Sequence, residues 1–116
     1  MFEEGNLIFK IEELVNDLNT TIDQYAVMGE SLADAQADYN ILLRQKALIE
    51  KDKGVSVTFL DKFLKGDPEV AELRKKRDIA ESRYKTLGEK INAIKLAIRI
   101  LDAQISREWS TRQSGY

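Results

Sequence analysis

The feature that most constrains the fold of this chain is a heptad pattern that runs from Asp67 to about Ser110. Counted in sevens, two sets of positions carry apolar or aromatic side chains at ten of twelve places. The first set is Val70, Arg77, Tyr84, Ile91, Ile98 and Ile105, and the second is Leu73, Ala80, Leu87, Ile94, Leu101 and Glu108. This alternating spacing of 3 and 4 is typical of a helix packed lengthwise on another helix.

Three residues mark the start of this helix. Gly66 can end the element before it, Asp67 can accept hydrogen bonds from the free N–H groups of the first turn, and Pro68 suits the first helical position. At 1.5 Å per residue, a helix over residues 67–110 is roughly 60 Å long. Because one chain of 116 residues cannot bury such a helix unaided, we expect it to assemble with others.

A second long helix is predicted upstream, over residues 7–53. Apolar residues recur there mostly every third or fourth position: Ile11, Leu14, Leu18, Ile22, Tyr25, Met28, Leu32, Ala35, Tyr39, Leu42 and Ile49. The run Asn19-Thr20-Thr21 forms helix poorly, so a bend or break near residue 19 is an alternative to one continuous helix. Gly29 is interpreted as a site of close packing against a neighbour, with a hinge as the alternative.

The linker over residues 54–66 is predicted to contain a short helix. Gly54 is expected to end the first helix in a left-handed conformation, and residues 55–57 have extended character. Thr58 can then cap a helix over residues 59–65. Four large apolar residues are predicted to plug the end of the hairpin, with a docking site for a partner as the alternative: Phe59, Leu60, Phe63 and Leu64.

These elements predict an all-α fold in which residues 1–116 form a single helical domain. About thirteen residues separate the two long helices, so they must run antiparallel as a long, coiled-coil-like hairpin. A three-helix bundle, made by folding residues 7–18 back on the hairpin, is the alternative.

The late part of the second long helix is apolar around most of its circumference, which is typical of a helix buried on more than one side. We therefore predict a homo-oligomer in which this segment forms the subunit interface. The candidate interface residues are Ile91, Ile94, Leu96, Ala97, Ile98, Ile100, Leu101 and Ile105.

Composition argues against catalysis. The chain has no Cys and no His, which removes disulfides, thiol and imidazole catalysis, and the usual zinc ligands. It has no Gly-rich phosphate loop and no nucleophile elbow. We expect no enzyme activity, no cofactor and no metal site. Without a signal-peptide pattern or a long apolar run, a cytoplasmic protein with no membrane partner is expected.

The net charge of −2 hides a strong asymmetry. Residues 1–40 carry one cation against nine anions, whereas residues 41–66 and 67–116 each carry a surplus of three cations. The cations near the turn are candidate nucleic-acid ligands that would bind phosphates with little sequence preference. They are Arg44, Lys46, Lys51, Lys53, Lys62, Lys65, Arg74, Lys75 and Lys76. A solvated coiled-coil surface is the alternative interpretation.

The segment VSVTFLDKFLKGDPEVAELRKKRDIAESRYK, residues 55–85, resembles a family of short helical phage proteins. The layout of residues 20–112 is also similar to that of the UvsY-type recombination mediators of phages. This resemblance implies a helical ring oligomer that binds single-stranded DNA and helps to load a recombinase in place of a single-strand-binding protein. The mediators' DNA-contacting residues lie near the end of the first long helix, where this chain has Arg44, Lys46, Lys51 and Lys53.

The resulting functional hypothesis is a phage-encoded accessory protein of the host cytoplasm that binds single-stranded DNA as an oligomer and mediates recombination. Its expected partners are further copies of itself, single-stranded DNA, and a recombinase or single-strand-binding protein. The alternative is a non-enzymatic structural, scaffolding or adaptor oligomer of a phage.

Overall fold

Three helices make up the part of the chain that the computed structural model describes, residues 4–114, with side chains for residues 5–112. They are α1 (Glu4–Asp52), α2 (Val57–Lys65) and α3 (Pro68–Ser114). No strand occurs within residues 4–114. The predicted all-α fold, with two long helices joined by a short one, is confirmed. The first three and last two residues of the predicted domain lie outside the described range.

The helix α1 runs without a break through Asn19-Thr20-Thr21, where a break was the alternative to the predicted long helix. The Thr20 and Thr21 hydroxyls donate to the carbonyls of Asn16 and Asp17, one turn earlier, at 3.1 and 2.7 Å. These side chains therefore bond within the helix and do not cap a new one. Thr21 is fully buried. Residues 7–18 thus belong to one continuous helix, and the three-helix alternative is wrong.

The chain divides into two compact units. The terminal unit consists of Met1–Ala26 with Thr86–Tyr116, and the turn unit consists of Val27–Lys85. In the terminal unit, Lys90 Nζ lies 3.7 Å from Asp17 Oδ1, and Gly88 packs against the Tyr25 ring. The residue number of the partner in α3 decreases as the residue number in α1 increases, so the two segments are antiparallel.

The turn unit shows the same antiparallel order. Gly29 packs against Tyr84, and the Arg77 guanidinium lies 4.4 Å from the centroid of the Tyr39 ring. These contacts confirm that the regular pattern in α3 is a helix-packing seam. All twelve heptad positions are buried or half-buried, including Arg77 and the late Glu108.

Asp67 caps α3 as predicted. Its Oδ1 accepts hydrogen bonds from the backbone N–H groups of Glu69 at 2.9 Å and Val70 at 3.1 Å. Val70 is almost fully buried directly after this cap. The cap satisfies two of the free N–H groups that every helix start leaves, and so defines where α3 begins.

Gly54 ends α1 in the left-handed conformation that the sequence predicts, with φ of +87°. The Gly54 N–H donates to the Lys51 carbonyl at 3.0 Å, and the Val55 N–H donates to the Glu50 carbonyl at 3.1 Å. This pair of bonds is a Schellman motif, in which the residue at the position of Gly54 needs positive φ.

The predicted start of α2 at residue 59, capped by Thr58, is wrong. Ser56 is the N-cap, with φ −68° and ψ 150°, and its carbonyl accepts from the N–H groups of Phe59 and Leu60 at 3.0 Å. The helix therefore begins at Val57, and the extended stretch shrinks to two residues. A β-branched residue is tolerated here because a first-turn side chain has no preceding turn to crowd it.

Candidate functional site

All nine predicted nucleic-acid ligands lie in the turn unit: eight are on the end of α1, on α2 or on the start of α3, and Lys53 directly follows α1. Within this unit they do not have equivalent surroundings. Three of them take part in contacts that hold or border the turn; the other six are exposed, as is Lys53 among the three.

Lys46 is held by two carboxylates at the start of α3. Its Nζ lies 3.3 Å from Asp67 Oδ2 and 3.5 Å from Glu69 Oε1. The hydrogen bond to Asp67 raises the pKa of Lys46. This half-buried lysine joins the end of α1 to the capped end of α3. Lys46 therefore has a structural role at the turn, in addition to its predicted role as a phosphate ligand.

Arg74 and Lys53 also have partners within the chain. Arg74 Nη2 donates a hydrogen bond of 3.1 Å to the backbone carbonyl of Lys65, which is the last residue of α2. This bond connects the exposed end of one helix to the second turn of the next. Lys53 Nζ lies 3.6 Å from Glu50 Oε1, but the lysine side chain remains largely exposed.

The other six cations are exposed, and we call them the outer basic set. They are Arg44, Lys51, Lys62, Lys65, Lys75 and Lys76. Carboxylates interleave with them, yet residues 44–77 carry ten cations against six anions. The surplus gives this part of the turn unit the sign of charge that phosphates prefer.

Arg77, one of the two charged residues of the seam, has partners inside the chain. Its Nε and Nη2 donate to Asp78 Oδ1 at 3.1 and 2.9 Å, and this contact raises the pKa of Arg77. The guanidinium also lies over the Tyr39 ring, a favourable cation–π position. Arg77 therefore has an acidic partner within its own chain.

The four large apolar residues of α2 divide between two faces. Leu64 is buried and Leu60 half-buried, so these two fill the plug role predicted for all four. Phe59 and Phe63 are 65% and 55% exposed. The four-residue spacing within each pair predicts that the two phenylalanines share one face of the helix and the two leucines another. The sequence does not say which of these faces is turned inward.

The predicted subunit interface also divides in two. Ile94 is buried within the chain, and five of the others are half-buried: Ile91, Ala97, Ile98, Leu101 and Ile105. Leu96 and Ile100 are 53% and 55% exposed. A predominantly apolar groove of about 630 Å³ lies beside Ile100 in the terminal unit, and its other apolar lining residues are Leu7, Phe9, Leu14, Ala97 and Leu101.

Much apolar surface remains uncovered in this chain. Large exposed apolar side chains occur in both units, among them Phe9 and Ile100 in one and Ile41 and Phe59 in the other.

Two other kinds of site are absent from the described residues. No group of three or more acidic residues within them could hold a metal ion. None of the helices over residues 4–114 is long and apolar enough to cross a membrane.

Comparison with known proteins found no relative. No protein-family model matches the chain, no curated protein matches it, and no solved structure matches its fold.

Proposed function

We propose that this protein is a non-enzymatic, self-associating accessory protein that binds the phosphate backbone of single-stranded DNA through the turn unit. The observation that carries the proposal is the outer basic set. Six exposed cations from three helices lie in one compact unit, while Lys46 and Arg74 hold the turn that presents them.

Self-association is the second part of the proposal. The groove beside Ile100 and the large exposed apolar side chains favour contact with further copies of the chain. Each copy adds another outer basic set, so that contacts weak in one chain become strong in the assembly. A role in recombination, in which the oligomer helps to load a recombinase on phage DNA, is the specific function that the resemblance to UvsY-type mediators adds.

The test is a titration of labelled single-stranded oligonucleotide at rising salt, paired with mass determination by light scattering. The logarithm of the binding constant should fall linearly with the logarithm of salt concentration, by about 0.7 per phosphate neutralised. Replacing Lys51 and Lys62 with Gln should weaken binding and make the slope shallower by about 0.7 for each lysine that contacts a phosphate. Lys95→Gln, an exposed lysine of the terminal unit, is the matched control and should change neither value.

A second candidate function is a scaffold or adaptor oligomer without nucleic-acid affinity. The exposed apolar side chains of both units favour it, since they would serve protein contacts equally well. An oligomer that fails to bind the oligonucleotide at low salt would reject the DNA proposal and favour this one.

A further inference from the structure

We propose that Phe59 and Phe63 form a stacking site for the bases of a single-stranded nucleic acid. We call these residues the phenylalanine pair. The proposal rests on the proposed function, which assigns only phosphate contacts, and adds to it a second chemical class of contact.

The first argument is the orientation of α2. Leu60 and Leu64 occupy the inner face of this nine-residue helix, and Leu64 is buried. The phenylalanine pair is thereby left on another face, with both rings more than half exposed. Their positions differ by four residues, so they neighbour each other on the helix surface, about 6 Å apart along the axis. Two adjacent exposed aromatic rings can each accept the face of a base.

The second argument is the charge around the pair. On α2 itself, Lys62 precedes Phe63 directly and Lys65 follows two residues later, while Asp61 is the one anion of this helix. Both lysines are exposed, and the exposed Lys51 in the last turn of α1 belongs to the same compact unit as the rings. Aromatic platforms combined with basic side chains are the usual means of binding single strands without sequence preference. A single strand has both the anionic backbone and the π faces that this combination requires.

The experiment measures affinities of the full chain for oligothymidylate and for an abasic oligonucleotide of equal length. The abasic strand has the same phosphates but nothing to stack. Stacking typically contributes on the order of 5- to 150-fold per base to affinity, so the wild type should prefer oligothymidylate by at least the lower figure.

The decisive variant is Phe59→Leu with Phe63→Leu, which retains apolar bulk and removes the aromatic faces. It should lose the preference for oligothymidylate while its affinity for the abasic strand and its mass stay unchanged. Phe59→Tyr with Phe63→Tyr should retain the preference. Val57→Ala is the matched control, because Val57 is an exposed apolar residue of the same helix without a π face.

Other outcomes would overturn the proposal in distinguishable ways. Equal wild-type affinity for the two strands would reject stacking and leave the proposed function intact, whereas binding of neither strand would reject both. A change of mass in the Leu variant would identify the pair as a subunit contact. Binding to anionic lipid vesicles that depends on the pair, without a preference for oligothymidylate, would identify a membrane contact instead.

Discussion

The ring of Tyr84 in α3 packs directly over Gly29 in α1, so closely that a Cβ added at residue 29 would lie 3.3 Å from Tyr84 Cε1. The same Tyr-x-x-x-Gly spacing occurs in both helices, as Tyr25 with Gly29 and Tyr84 with Gly88. A Cβ on Gly88 would lie 3.2 Å from Tyr25 Cε1. Each glycine is therefore a recess in one helix for a tyrosine of the other.

This contact predicts how Gly29→Ala affects stability. Alanine favours the helix by about 1 kcal/mol over glycine. The close contact with Tyr84 should cancel that gain, so the free energy of unfolding should change little. In a Tyr84→Ala background, Gly29→Ala should stabilise by about 1 kcal/mol. Urea unfolding of the four proteins in this cycle is the measurement, and equal effects of Gly29→Ala in both backgrounds would show that the ring does not restrict residue 29.

The two glycines that border the linker should respond oppositely to alanine. Gly54 has φ of +87°, where a side chain costs about 1–2 kcal/mol, so Gly54→Ala should destabilise by that amount. Gly66 has φ of −87°, and a Cβ there would meet nothing closer than 3.8 Å. Gly66→Ala should therefore be neutral or stabilise by up to about 1 kcal/mol. Urea midpoints of the two variants test this contrast, which similar losses in both would contradict.

The cap of α3 should make stability depend on pH in the acidic range. The hydrogen bond from the Val70 N–H is the main cause that holds the pKa of Asp67 below its ordinary value of 3.8. The contact with Lys46 and the hydrogen bond from the Glu69 N–H lower this pKa further. Because the pKa is depressed in the folded state, the ionised Asp67 cap stabilises the fold fully above about pH 5. This stabilisation is lost as the pH falls through 3.8 toward the pKa of the folded state. Asp67→Asn retains a capping oxygen but does not titrate. The difference in unfolding free energy between the two proteins should therefore be constant near neutral pH and shrink below pH 4.

Lys46 offers a check on this assignment. Because the Val70 N–H is the largest cause of the shift, Lys46→Met should raise the Asp67 pKa only part of the way to 3.8. An NMR titration of the Asp67 carboxyl group measures this. A pKa that is unchanged in the variant would show that the ion pair at 3.3 Å does not act on the cap.

The groove of the terminal unit should be the part of the surface on which assembly depends. Ile100→Asp should lower the mass measured by light scattering, because it puts a charge beside the apolar groove that a second copy would cover. Ile41→Asp is the matched control: the two isoleucines are 55% and 56% exposed, but Ile41 belongs to the turn unit. Circular dichroism should show both variants equally helical. Equal masses for the two variants would reject the groove as the interface.

Ile98 would be a poor probe of assembly, although the heptads place it in the predicted subunit interface. The structure half-buries it within its own chain, so a charge there would disturb the packing of α3 on α1. The sequence pattern identifies a seam reliably, since any partner helix needs the same apolar stripe. It does not say whether that partner is part of the same chain, and this is why seam and subunit contacts were predicted together.

The sequence by itself determined the three helices, the start of α3 and the end of α1. Spacing of apolar residues, Asp67 with Pro68, and Gly54 act within one or two turns, so local chemistry is enough to locate α3 and the end of α1. Tertiary packing decided which of several equivalent side chains remain outside. It buried Leu64 and exposed Phe63. It also placed Lys46, and not Lys62, between two carboxylates. Both outcomes depend on which face of each helix meets its neighbour.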